Sequence, residues 1–410
     1  MRPPRARRHA RSGEWRALFA RPGYLGFALT VAPAQISSLM FAVSGVLLVL
    51  GRTGSAALAG ATAAAAVLPA ALSGPLLGAW LDVTPRRRPW IVGDRLLSAA
   101  ALLALVAVAG HGPNWTLPLV AVLYGVTTPL SIGSFLGAQA ALAGPELLDR
   151  ASAVTATTGN VAVVIGPALA GVLAGVTGPA EVVELQAALT VVTAGLIAVN
   201  PAFDLRSGES SPSTRHALAA GLRALRERRL LRGAIAANAL ATFSWGLMTV
   251  GFPVYAANAL GARHNAAGYL WAAVAIGSIV GTFALARGPN PRRMALSYAV
   301  FGSSALLWPL AGSFAAGVCL ILFTGVLEGP AFSGAVALQQ RLAPDRARTA
   351  VLNTGQSITT AALALGQLIG GVTIDLTGGA TLAIVVFAAA DLCAAGLLTL
   401  AAQRPSATAA

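Results

Sequence analysis

Gly166-Pro167-Ala168-Leu169-Ala170-Gly171 is answered two hundred positions later by Gly366-Gln367-Leu368-Ile369-Gly370-Gly371. Working outward from that pair, the same offset holds over about fifty residues. Gly125-Val126 followed by Pro129 returns as Gly325-Val326 followed by Pro330. Between these landmarks each copy carries a short charged turn, LAGPELLDR ending at Arg150 and RLAPDRAR ending at Arg348. A smaller echo, Gly74 with Gly78 against Gly277 with Gly281, sits at matching places further upstream. The chain reads as one unit built twice.

Composition places this duplication in a membrane. The chain is 56% hydrophobic and 10% charged, where an ordinary soluble domain carries about a quarter charged residues. Repeats inside hydrophobic segments are a common build of secondary transporters. All 28 basic residues are Arg, because the sequence holds no Lys. That excludes a P-loop lysine, a Schiff-base lysine and a Ser-Lys dyad, so no ATP-hydrolysing motor is expected in this chain. His9, His111, His216 and His264 have no metal-ligand spacing, and Cys319 and Cys393 lie in apolar segments. Neither a metal site, a disulfide framework nor a cofactor is expected. No nucleophile–base pair stands out, and an enzyme is not expected.

Apolar runs predict spanning helices near 24–50, 57–81, 89–109, 115–142, 152–175, 182–199, 233–257, 266–286, 294–313, 317–340, 350–374 and 379–400. Each is long enough to cross a hydrocarbon core, which needs roughly 20 apolar residues. The expected fold is an all-α membrane protein of twelve helices in two pseudo-symmetric six-helix halves. Expected boundaries are a basic N-terminal tail at 1–22, a first bundle at 23–200, a linker with a surface helix at 201–232, a second bundle at 233–402 and a tail at 403–410. The run from Tyr24 to Leu50 is longer than the h-region of a cleaved signal and is read as the first permanent span. With both termini cytoplasmic, the opposite loops hold only Arg52 and Arg263, and Arg95 lies at the start of the third helix. The net charge of +14 is thus a topology signal rather than a nucleic-acid footprint. The linker helix, about 216–232, is expected along the membrane face, with Leu218, Leu222 and Leu225 buried and Arg223 and Arg226 toward headgroups.

The end of the second span reads Gly78-Ala-Trp-Leu-Asp82-Val-Thr-Pro-Arg86-Arg87-Arg88. It resembles the G-x-x-x-D-R/K-x-G-R-R signature of the major facilitator superfamily. Gly78, Asp82, Arg86 and Arg87 match, while Val83 and Pro85 depart from it. Gly166, Pro167, Ala170 and Gly171 resemble the G-P-x-x-G-G core typical of the antiporter branches, with Ala170 in place of a Gly. The resemblance implies that Asp82 faces the N-terminus of the eleventh helix near Thr349 to Asn353 and latches one side shut; a local pair of Asp82 with Arg86 or Arg87 is the alternative. The small residues are read either as packing sites, where helix backbones approach in lipid, or as gating sites, with Pro167 bending its helix.

Ionisable residues deep in apolar spans are costly and so are functional candidates. Glu328 in the tenth span and Asp391 in the twelfth are the expected coupling residues, and the resemblance implies that the tenth helix lines the central cavity. Gln35, Gln139, Asn160, Asn238, Asn353 and Gln356 are the expected polar groups of an otherwise apolar cavity. Such a lining suits an amphipathic or cationic molecule better than a sugar or phosphate. The expected function is proton-coupled export of hydrophobic or cationic small molecules, similar to the drug and metabolite efflux branch of that superfamily. An uptake carrier or uncoupled facilitator, and a non-transporting scaffold or receptor, stay open. The expected setting is a plasma or inner membrane, with a small-molecule substrate, protons and the bilayer as partners of a monomer, and a proton gradient as energy source.

Overall fold

The computed structural model describes residues 15–84, 86–205, 214–285, 290–344 and 348–403. Among them all regular structure is helical. The first three spans are Tyr24–Thr53, Ala56–Val83 and Arg88–Val108. Thr116–Val126 continues as Thr128–Val176, inside which Gly144 takes φ 64° and ψ 171° and divides the fourth span from the fifth. A left-handed φ strains a residue with a side chain, and Pro145 then starts the new helix. Pro179–Val199 is the sixth span. The second half runs Arg229–Asn258, Ala267–Leu285, Pro291–Ala305, Phe314–Leu342, Arg348–Thr377 and Thr381–Gln403 as the seventh to twelfth spans. Nine described helices are long and apolar enough to cross a membrane. Dividing the longest at Gly144, and adding Ala56–Val83 and the shorter Pro291–Ala305, yields the expected twelve.

The ninth helix is shorter than hydropathy predicts, ending at Ala305 before a 3₁₀ turn at Trp308–Leu310. Pro309 explains the stop, since its ring would clash with the Ala305 carbonyl four residues back. The linker helix also differs from expectation. It spans Thr214–Glu227 and ends at Arg228, whose φ of −109° and ψ of 95° let the seventh span start at Arg229. Instead of lying only along headgroups, it packs on the N-terminal end of the eleventh span: a Cβ on Gly221 would stand 2.3 Å from the Thr354 hydroxyl oxygen. Ala224 and Leu225 are buried there, while Leu222, expected to be buried, is exposed with Arg223 and Arg226. Leu218 lies outside the described side chains.

Helix pairing repeats between the halves. Spans 1 and 5, 2 and 4, 3 and 6, and 1 and 6 pack together, and so do 7 and 11, 8 and 10, 9 and 12, and 7 and 12. The duplicated glycines hold equivalent seams. A Cβ on Gly125 would lie 2.1 Å from the Ala66 carbonyl oxygen on the second span, and one on Gly325 2.5 Å from the Val274 oxygen on the eighth. Gly166 likewise rests on Leu39 and Ile36 of the first span, and Gly366 on the Phe243 carbonyl of the seventh. Without a hydrophobic drive between helices in lipid, such close approach supplies the packing that joins them.

Candidate functional site

The site begins at Glu328, two residues before Pro330 in the tenth span and 9% exposed. The Ser278 hydroxyl of the eighth span and the Trp245 indole of the seventh face its carboxyl within hydrogen-bonding reach. Trp245 stacks on Trp271, ring centroids 5.4 Å apart and tilted by 37°. Phe252 closes on Trp271 at 5.1 Å, and Phe301 and Phe387 approach Trp245 at 5.8 and 5.3 Å. The indole N–H of Trp271 is buried without a hydrogen-bond partner. Trp271 also packs against a buried first-half cluster made of Met40, Val43, Leu47, Ala170, Ala174 and Val182. An acid and two stacked indoles therefore stand where the halves meet. Aromatic faces attract organic cations, most strongly when desolvated.

Asp391 of the twelfth span is fully buried. Its Oδ2 accepts the Ser244 hydroxyl of the seventh span at 2.9 Å, and its Oδ1 has no partner. It is near enough to Glu328 for electrostatic interaction, and Tyr298 is near enough to both acids for the same. The two candidates are thus electrostatically linked.

A second buried charge cluster, which sequence reading missed, occupies the first half. Asp94 Oδ2 accepts from Arg95 Nη2 at 2.8 Å and Nε at 3.1 Å, and from the Ser131 hydroxyl of the fourth span. Its side chain is fully buried and that of Arg95 nearly so. The available signal was an acid directly beside the one arginine set inside a span. Pairing offsets the cost of burying both charges.

The halves touch at the end away from the termini. A Cβ on Gly171 would lie 2.0 Å from the Gly268 Cα, and the Asn265 amide donates to the Ala174 carbonyl at 3.1 Å. Pseudo-symmetrically, a Cβ on Gly60 would lie 2.2 Å from the Gln367 oxygen, and one on Gly371 2.3 Å from the Ala56 oxygen. Asp375 adds hydrogen bonds across the same seam, from the Ser55 hydroxyl at 2.7 Å and the Ala56 and Ala57 amides at 2.8 and 2.9 Å. Gly171, expected as part of the antiporter-type motif, is therefore an inter-half contact, whereas Gly166 packs within its half. Ala170 is fully buried in the cluster against which Trp271 packs, and Pro167 is half-buried in the same helix.

The remaining expected residues separate. Gln139 is buried and braces the fourth span to the fifth, donating to Ser152 at 3.1 Å and accepting from Thr155; in this arrangement it is engaged within its half. Gln35 Oε1 is buried without a partner and faces Gly159. Asn238 is half-buried, while Asn353 and Gln356 are exposed, the latter donating to Thr360 at 3.4 Å. Arg86 is exposed and Arg87 buried. The side chains of Gly78, Asp82 and Asn160 lie outside the described residues, and with them the expected Asp82 latch.

Comparison with known proteins agrees with this architecture. The chain is 28% identical over 373 residues to an uncharacterized MFS-type transporter, y4rN, of Sinorhizobium fredii, covering 88% of this chain and 90% of that one. It is 27% identical to the multidrug efflux pump Tap of Mycobacterium tuberculosis, over 81% of this chain and 82% of Tap. Among solved structures, a bacterial homolog of the human lysosomal transporter Spinster, inward-facing and occupied, superposes with a TM-score of 0.74 at 14% identity, covering 92% of this chain and 96% of the other. The sequence model of the Major Facilitator Superfamily matches residues 25–356, and the chain belongs to that superfamily.

Proposed function

We propose that this protein exports amphipathic organic cations by alternating access, with proton binding at Glu328 as the coupling step. The observation that carries the reading is the Glu328 carboxyl facing Trp245, which stacks on Trp271 at the seam between the halves. Burial disfavours the charged form of a carboxyl and a nearby cation favours it. Arrival of a cationic substrate therefore expels the proton, and its departure lets a proton bind again, so one carboxyl serves both ligands in turn. The tryptophans supply dispersion and quadrupole attraction to a delocalised cation without fixing its shape. The similarity to Tap, a multidrug efflux pump, supports the direction.

The arginine distribution supports cytoplasmic termini, because basic loops stay on the cytoplasmic side. In that orientation the touching ends face outward. Opening the outer seam and closing the inner one would carry substrate across. The cell membrane is the corresponding location, and the protein acts there as a monomer.

Glu328→Gln tests the coupling step. It keeps size and hydrogen bonding while fixing a neutral group, so uphill accumulation of a lipophilic cation such as ethidium against a proton gradient is lost, while downhill exchange persists. Uphill transport with an unaltered pH profile in that variant would falsify the assignment.

A further inference from the structure

The contact that sequence reading did not anticipate is the one Asp375 makes across the halves. Ser55 caps the second span and Ala56 and Ala57 are its first two residues. The first N–H groups of any helix lack intrahelical acceptors. Here Asp375 Oδ1 takes the Ala56 amide, and Oδ2 takes the Ala57 amide and the Ser55 hydroxyl. The Ser55 oxygen in turn accepts from Leu58 N at 3.1 Å. One carboxylate of the eleventh span thus completes the first turn of a helix in the other half, where the helix dipole favours an anion. Around it, Gly60 and Gly371 let the backbones meet, so the carboxylate is held on its donors by a rigid seam.

We infer that Asp375 is a gating residue: its capture of the second-span N-terminus locks the end away from the termini shut, and it must let go for that end to open. The inference rests on the alternating-access reading. All three hydrogen bonds join residues of different halves, so separating the halves breaks all three together and leaves both the helix end and the carboxylate to water. The lock therefore acts on one state only. A ligand or contact present in one of two states shifts their balance, whereas one present in both does not. The sequence resemblance implied a carboxylate of the second span capping the eleventh at the opposite end; Asp375 is the observed converse, the eleventh capping the second.

The test measures separation rather than transport. In a Cys319→Ser, Cys393→Ser background, spin labels at Asn114→Cys and Gly312→Cys report the distance between the halves at the locked end; both loops are exposed. Wild type shows a dominant short separation and a minor long one. Asp375→Ala raises the long-to-short ratio about fivefold, a size set by an exposed, charge-assisted helix cap. Asp375→Asn, which keeps one acceptor and serves should the Ala variant not reach the membrane, moves it less in the same direction. Populations equal to wild type in both variants overturn the lock. A single separation in wild type at every pH and substrate concentration overturns alternating access itself, and the lock with it.

Discussion

Two glycines of the repeated motif, Gly171 and Gly366, make steric contacts of equal severity, yet substituting them should have opposite consequences. A Cβ on Gly171 meets the Gly268 Cα at 2.0 Å and its nitrogen at 2.5 Å, across the halves. A Cβ on Gly366 meets the Phe243 oxygen at 2.1 Å and the Gly246 Cα at 3.0 Å, inside one half. Carbon atoms sit comfortably at about 3.5–4.0 Å, so either alanine forces a separation of roughly 1.5–2 Å. Overpacking of this kind costs about 1–3 kcal/mol. On the alternating-access proposal, at Gly171 that energy falls only on the state with this seam shut, and the protein escapes by opening there; the population ratio changes by about 5- to 150-fold. At Gly366 the seam of spans 7 and 11 persists in both states, so nothing relieves the clash and stability drops. The assay pairs thermal unfolding of purified protein with the spin-label separation between Asn114→Cys and Gly312→Cys. Gly171→Ala should keep its melting temperature and lengthen the distance, and Gly366→Ala should melt lower with the distance unchanged. Equal melting losses with unchanged separation in both would refute the division into rigid halves on which the contrast depends.

Other outcomes follow from the same geometry. Asp94→Ala strands the Arg95 guanidinium in a buried position and should reduce stability by about 3–5 kcal/mol, read as lost membrane abundance; the Asp94→Ala, Arg95→Ala double variant should recover part of it, and no recovery would mean that the pair is not the cause. A reporter fused after Arg232 should behave as cytoplasmic, and extracytoplasmic behaviour would invert the proposed orientation together with the assignment of the locked end.

How much of this is legible in the letters differs between fold and site. The duplicated glycines point to two halves, and the structure shows why they occur twice: Gly125 and Gly325, and Gly166 and Gly366, each hold the same helix pair in their own half. Glu328 and Asp391 are legible because an acid inside an apolar run is costly wherever it packs. Asp94 is equally inside a run, but the neighbouring Arg95 makes both read as a helix end near water; burial of the pair against Ser131 becomes visible only with the fourth span in place. Gln139 reads as a free amide, and its brace to Ser152 and Thr155 depends on the turn at Gly144 folding the fifth span back on the fourth.

By itself, then, the sequence determined the membrane setting, the number of spans, the duplication and the acids inside them. These follow from the transfer energy of each residue and from local periodicity, which need no knowledge of neighbours. Only the tertiary structure decided that Glu328 faces Trp245 and that Trp245 packs on Trp271, that Gly171 meets Gly268 across the halves, and that Asp375 caps a helix 320 residues earlier in the chain. Hydropathy assigns a depth to each residue but no rotation or partner. In a bilayer, where lipid is as apolar as the helices, rotation and partner are set by packing and hydrogen bonds alone.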